Sequence, residues 1–164
     1  MQVKYYNVHE VIEVVTDLEV QNFRDNLTLI RRSVGWSAEE FGKRVGISRQ
    51  SINNLESGKY KLTKPHYVAM RYVLNEEIKN NPRDTDMLRI VLEVFVDNPD
   101  KDIYTDEVKK EIKQKAMLLS PALEMKVAPR KEVSETWKSV LSGIAATAIA
   151  TALVSLIVGI WKNK

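Results

Sequence analysis

The stretch Ser37–Gly58, with the sequence SAEEFGKRVGISRQSINNLESG, decides the fold of this chain. Ser37 begins a capping box, because a serine followed three residues later by Glu40 can satisfy the free backbone amides at a helix start. That helix is predicted to end near Gly46, and a second helix begins at a cap on Ser48. The spacing therefore predicts two short helices joined by a tight turn.

The second of these helices has two unlike faces. Ile52 and Leu55 give it an apolar side, and Gly58 is placed to end it. Its other side chains are amides, hydroxyls, one arginine and one glutamate. Residues 21–81 carry eleven Lys or Arg against six acids, a net charge of +5. A polar face on a basic segment indicates an anionic partner.

The sequence before residue 37 predicts further helices. A short helix is expected near residues 8–18. Phe23, Leu27 and Ile30 then recur on one face of a longer helix, which Gly35 ends in a left-handed conformation.

After residue 58 the helical pattern continues. Thr63 with Pro65 marks the start of a helix that stops before Pro82. Its inner side is predicted to carry Val68, Tyr72 and Ile78. A strongly apolar helix around residues 87–95 must then be covered, either by the core or by a second subunit.

A charged helix over residues 104–118 is predicted next. Its apolar side carries Val108, Ile112 and Ala116. Pro121 and Pro129 bracket a predicted linker.

Residues 27–59, LTLIRRSVGWSAEEFGKRVGISRQSINNLESGK, resemble the Cro-like phage repressors, also called the XRE family. The resemblance extends over the flanks from Asn22 to Leu74. In that family the second helix of the motif lies in the major groove of DNA. The resemblance implies that the recognition helix is Ser48–Ser57 and that double-stranded DNA is the partner.

The resemblance also assigns individual residues. Arg49, Gln50 and Asn54 match the positions that contact bases in the family. Asn53 lies beside them and is a further candidate. Arginine can fork onto guanine, and glutamine or asparagine can pair with adenine, so the side-chain chemistry agrees. Arg31 and Glu56 match a structural ion pair of the family.

Phosphate contacts are expected around the recognition helix. The candidates are Ser37, Lys43, Ser48, Lys59, Lys61 and Lys64. Ala38 departs from the family, because a polar phosphate-contacting residue is common at that position. Two alternatives stay open: a helical bundle whose polar face is merely solvated, and a membrane-bound adaptor, like RodZ, whose helix-turn-helix binds protein.

The sequence carries no signature of an enzyme. It has no cysteine, and its two histidines, His9 and His66, lack the spacing of metal ligands. We expect no catalytic residue, no metal and no cofactor.

The carboxyl-terminal run Val140–Ile160 is 21 residues without a charge, long enough for a single transmembrane helix. Trp137 and Trp161 flank it, with Lys138 and Lys162 beside them, as expected at membrane interfaces. The excess of basic residues before the run predicts a cell-membrane tail anchor with the amino-terminal side in the cytoplasm. A buried oligomerisation helix is the alternative.

Small residues recur every four positions in this run. The row includes Gly143, Thr147, Thr151 and Ser155. Such a row lets helix backbones approach in lipid, so it predicts pairing of two chains into a homodimer.

The sequence thus predicts an all-α protein: a small helix-turn-helix bundle, a helical connector and one carboxyl-terminal transmembrane helix. The predicted divisions are an extension (1–20), the DNA-binding domain (21–81), a connector and linker (82–130) and the tail anchor (131–164). We expect a membrane-anchored, sequence-specific transcriptional regulator.

Overall fold

The computed structural model describes residues 15–144, with side chains as far as Leu141. That part of the chain contains eight α-helices, one π-helical turn and no strand, which confirms the all-α prediction. The elements are α1 (Asp17–Asp25), α2 (Leu27–Ser33), α3 (Ala38–Val45), α4 (Arg49–Glu56), α5 (Lys64–Asn80), α6 (Asp86–Leu92), a π-helical turn (Glu93–Asp97), α7 (Asp106–Glu124) and α8 (Arg130–Ile144). Most of the helix expected at residues 8–18 lies outside the described residues.

The helix predicted over Phe23, Leu27 and Ile30 is broken into α1 and α2. The break is at Asn26, whose backbone leaves helical geometry. Its side-chain amide Nδ2 donates to the Asn22 carbonyl at 2.8 Å. All three apolar residues are nevertheless buried, as predicted. Gly35 ends the segment with φ +78°.

The two helices of the Ser37–Gly58 stretch begin and end as the sequence predicts. Ser37 Oγ accepts from the Glu40 amide at 3.1 Å, and Glu40 Oε2 accepts from the Ser37 amide at 2.8 Å. Gly46 follows α3 in the left-handed region. Ser48 Oγ accepts from the Ser51 amide at 3.0 Å and caps α4.

The crossing of α3 and α4 depends on Gly42. A Cβ added there would lie 2.6 Å from the Ile47 carbonyl oxygen, closer than real contacts allow. The turn between the helices can therefore approach α3 only because this residue has no side chain.

The inner face of α5 differs from the prediction at Tyr72, which is 65% exposed. Val68 and Ile78 are half-buried and pack against the core. The buried positions of α5 are instead Tyr67, Met70, Leu74 and Glu77. Tyr67 packs edge-on against Phe23, with the ring centroids 5.1 Å apart. Both sets of residues have helical spacing, and only the packing against α1 distinguishes them.

Helix α6 completes the core. Six of its residues are buried, and burial continues through Val94 and Val96 of the π-helical turn. In α7, Val108, Ile112 and Ala116 are buried, as predicted. Pro121 does not open a linker, because α7 continues through it to Glu124.

Helix α8 packs against α6 and α7, and its Val133, Trp137 and Leu141 belong to the same buried cluster as the residues of α2 and α6. Trp137 is fully buried, so the prediction that it lies at a membrane interface was wrong. Lys138 binds Glu135 at 3.1 Å and Asp86 at 3.4 Å. A tryptophan and a lysine just before an apolar run are typical of a membrane anchor, but they also occur in a packed helix. Only the tertiary packing of Trp137 and Lys138 distinguishes these two roles.

None of the helices described between residues 15 and 144 combines the length and apolar character needed to cross a membrane. Most of the predicted span at 140–160 lies outside the described residues. So do the side chains of the predicted pairing row, Gly143, Thr147, Thr151 and Ser155.

Candidate nucleic-acid interface

The first turn of α4 projects from the protein. Arg49 and Gln50 are exposed, whereas Ile52 and Leu55 on the opposite side are buried in the core. Among the described residues Arg49 forms no hydrogen bond or salt bridge, although its charge helps to lower the pKa of Glu39. Its guanidinium group is thus available to a partner.

The two asparagines of α4 differ from each other in exposure. Asn53 is half-buried beside the exposed turn. Asn54 is only 7% exposed, and its Oδ1 accepts from Gln50 Nε2 at 3.1 Å. Its backbone carbonyl also accepts from the Tyr60 amide at 3.0 Å. The side chain of Asn54 is thus covered in the free protein and holds Gln50, and its base contact stays a prediction.

One predicted phosphate contact on α3, Lys43 in its last turn, is already paired with a carboxylate. Lys43 Nζ lies 2.6 Å from Oε1 of Glu39, which is one helical turn earlier in α3. The hydrogen bond and charge of Glu39 raise the pKa of Lys43, and those of Lys43 lower the pKa of Glu39. A phosphate at Lys43 would have to compete with this exposed carboxylate. Ser37, half-buried, uses its oxygen as a helix cap.

The lysines that follow α4 are better placed for phosphate. Lys59 and Lys61 are exposed and have no ion pair among the described residues. Lys64 is 35% exposed and lies 3.3 Å from Asp17. Ser48 is exposed at the helix start and shares a hydrogen bond with the Ser51 hydroxyl at 2.9 Å.

Arg24 adds a basic group that sequence reasoning missed. It lines a surface groove of about 410 Å³ together with Lys61 and Lys64. Its Nη2 would lie 3.4 Å from a Cβ added at Gly58, so it reaches the turn after α4. Nothing in the local pattern of α1 indicates this, because the contact joins residues more than thirty positions apart.

The predicted pair of Arg31 and Glu56 is present and buried. Arg31 Nε lies 2.6 Å from Glu56 Oε1, and Nη2 lies 3.2 Å from Oε2, which is a two-pronged contact. Nη1 donates to the Trp36 carbonyl at 2.7 Å and to Glu124 Oε1 at 2.9 Å. Burial would lower the pKa of Arg31, but the hydrogen bonds and charges of the two glutamates outweigh it and raise that pKa.

The described residues hold no cluster of three or more side chains that could bind a metal ion. His66 Nδ1 instead lies 2.9 Å from the Thr63 hydroxyl at the start of α5. His9 falls outside the described residues.

Comparison with known proteins finds a family match for one segment of the chain. Residues 27–71 match the family model described as helix-turn-helix. No curated protein and no solved structure matches the chain. The matched segment runs from the start of α2 into α5 and contains the exposed turn of α4. This match supports a helix-turn-helix of the XRE type at residues 27–71, the kind found in DNA-binding regulators.

Proposed function

We propose that the protein is a sequence-specific transcriptional regulator that places α4 in the major groove of double-stranded DNA. The observation that carries this proposal is the exposed first turn of α4, where Arg49 and Gln50 project from a helix whose other face is buried. These side chains have the donors and acceptors that distinguish bases in that groove. Asn53 lies beside them and is a third candidate.

Phosphate contacts supply the rest of the proposed interface. Lys59 and Lys61 are unpaired within the described residues, and Arg24 and Lys64 share a groove with Lys61. Ser48, Ser37 and Lys43 are further candidates, of which Lys43 has the competing carboxylate of Glu39. Such contacts fix the position of a protein on the duplex without specifying sequence.

The proposal also includes attachment to the cell membrane through the apolar run at 140–160. Since Leu141 is buried in the domain, the span would use residues 142–160, which as a helix reach about 28 Å. That length still suits the hydrocarbon core. The basic residues before the run favour a cytoplasmic helix-turn-helix domain.

The small-residue row of that run supports a homodimer. Gly143, Thr147, Thr151 and Ser155 would line one side of a helix. Two linked helix-turn-helix domains could then occupy half-sites about one turn of DNA apart.

Genome-wide DNA capture with the intact protein tests the function. We expect a reproducible sequence motif with the parent and its loss with Arg49→Ala combined with Gln50→Ala. The matched control is Gln114→Ala, an exposed residue of α7. Capture of no reproducible motif, together with recovery of a protein partner through α4, would favour the adaptor function instead.

Carbonate washing of membranes tests the anchor. The full-length protein should stay in the membrane pellet, whereas a chain ending after Ile144 should be released and still bind the captured site. Recovery of the full-length chain in the supernatant would remove the anchor from the proposal but leave DNA binding intact.

Replacing Gly143 and Thr147 by Leu tests the pairing row. We expect weaker association in a membrane two-hybrid assay with unchanged insertion, because bulk is added where backbones must meet. Ile144→Leu with Ala148→Leu is the control off the row, and equal effects of both pairs would contradict the seam.

A further inference from the structure

The end of α7 contacts the helix-turn-helix domain through a charged group in a buried setting. Glu124, the last residue of α7, is 26% exposed and accepts from Arg31 Nη1 at 2.9 Å. Its other oxygen lies 3.4 Å from Arg32 Nε. Arg31 is the residue that forks onto Glu56, the last residue of α4. The ends of α7 and α4 are therefore joined through one guanidinium group.

The geometry of this group assigns different tasks to its nitrogen atoms. Nε and Nη2 bind Glu56, while Nη1 binds Glu124 and the Trp36 carbonyl. A guanidinium group is planar, so fixing Nη1 also fixes the direction of the fork that holds Glu56. Arg32 supplies the second positive charge that balances the second carboxylate.

Next to this contact, the turn at Gly35 and the last turn of α7 approach each other closely. A Cβ added at Gly35, between α2 and α3, would lie 2.9 Å from Leu123 Cβ. The last turn of α7 is thus seated directly on the turn that leads into α3, where an alanine would not fit. Residues 123 and 124 meet the domain at the same place.

The turn after α7 adds a second contact. Lys126 has φ +54°, the one positive φ among the described residues other than glycine. The Val127 amide donates to the Ala122 carbonyl at 3.1 Å and closes the helix end, where glycine is usual. Lys126 Nζ lies 2.9 Å from Glu40 Oε1, the carboxylate of the α3 capping box. This pair is exposed and weak, so Glu124 is the main contact.

We propose that Glu124 is a positioning residue for DNA binding: it holds Arg31 so that Arg31 fixes the carboxyl-terminal end of α4. Lys126 supports the start of α3 in the same way. This inference rests on the proposed DNA-binding function. It extends the DNA-binding unit beyond residue 81, because the orientation of the recognition helix depends on Glu124.

Hydrogen exchange and DNA binding of the full chain test the proposal with Glu124→Gln, which keeps the shape and removes the charge. We expect faster exchange in the last turn of α4 than in α5, which serves as the internal reference. Affinity for the captured DNA site should fall about 2- to 30-fold. Glu132→Gln, an exposed residue of α8, is the matched control and should change neither.

A second pair of variants addresses Lys126. Lys126→Asn removes the charge but tolerates a positive φ, so thermal stability should hold while exchange at the start of α3 increases. Lys126→Arg should restore the parent pattern, and Lys131→Asn is the control with the same loss of charge.

The outcomes separate this proposal from the proposed function. Equal acceleration of exchange in α4 and α5 in Glu124→Gln would show a general loss of stability and overturn the positioning role, as would no change in α4. A parent protein that binds no DNA site would end the proposed function, while the exchange comparison would still decide whether Glu124 holds α4.

Discussion

The surface around α4 and the packed helices after residue 81 contain charged residues with opposite roles. In the helix-turn-helix domain, Arg49, Lys59 and Lys61 point outward without ion pairs among the described residues. In the segment after residue 81, charges turn inward: Asp86 is buried and binds the Ser134 hydroxyl at 3.3 Å. Arg130 binds Glu77 of α5 at 2.6 Å. Outward charges are available to a partner, whereas inward charges hold helices together.

The difference shows why a match to one segment does not delimit the folding unit. Residues 27–71 match the helix-turn-helix family model, and the match ends within α5. Yet α6 and α7 cover α2, α8 packs on α6 and α7, and all three helices share the core of α2. The helix-turn-helix domain therefore depends on the second half for burial of its own apolar residues.

The largest expected effect is that of Trp137→Ala. Trp137 is fully buried in the core, so its truncation should lower the free energy of unfolding by about 3–5 kcal/mol. Chemical denaturation of the chain ending at Ile144 measures this. Tyr72→Ala, at a residue that is 65% exposed, should change it by less than about 0.5 kcal/mol. Similar small losses for both would show that the second half is not part of the core.

The next effect tests the contact between the halves. Arg31→Ala leaves the carboxylates of Glu56 and Glu124 without their shared partner and should cost about 3 kcal/mol of stability. Thermal unfolding of parent and mutant is the measurement. Arg32→Ala, at a side chain that is 34% exposed, should cost much less. An unchanged melting temperature for Arg31→Ala would mean that the pair is screened by solvent.

Substitutions of outward charges should affect binding alone. Arg49→Ala should weaken binding of the captured site by about 1–3 kcal/mol and relax preference at particular base pairs. Lys61→Ala should weaken all sequences alike and reduce the salt slope by about one unit. Titrations at several salt concentrations distinguish the two. If Arg49→Ala weakened binding of all DNA sequences equally, Arg49 would be a phosphate contact and not a base contact.

The smallest effect concerns an inward carboxylate of the second half. Burial would raise the pKa of Glu93, but hydrogen bonds from Lys101, Asn98 and Tyr104 outweigh it and lower that pKa. A lowered folded pKa stabilises the protein above the unfolded pKa, and this contribution is lost as the pH falls. Stability should therefore decline below about pH 5. Glu93→Gln should flatten that slope, and Glu132→Gln should not.

The sequence predicted the local features of the fold well. The capping box at Ser37, the cap at Ser48 and the left-handed Gly46 depend on neighbours within a few residues, and all three are present. The buried positions of α7 followed from helical periodicity. Arg31 and Glu56 followed from the family resemblance.

Features that depend on distant contacts were not predictable in this way. The inner face of α5 is set by packing against Phe23, and the burial of Trp137 by the surface of α6 and α7. Asn54 matched a base-contacting position, but its short side chain is covered by neighbours. Glu124 and Arg24 reach the domain from α7 and α1, and no local pattern indicates either contact.

The hydrogen bond between Gln50 and Asn54 has a consequence for the thermodynamics of recognition. A free glutamine has three rotatable side-chain bonds, and immobilising such a residue in a complex costs about 0.5–1.5 kcal/mol of entropy. Asn54 Oδ1 already restrains the Gln50 amide at 3.1 Å, with Asn54 itself 7% exposed. Part of the ordering that DNA would require is thus complete in the free protein. The remaining N–H and the carbonyl of Gln50 keep a restricted set of directions. In the proposed complex, a mismatched base would therefore meet a side chain that cannot easily turn to accommodate it.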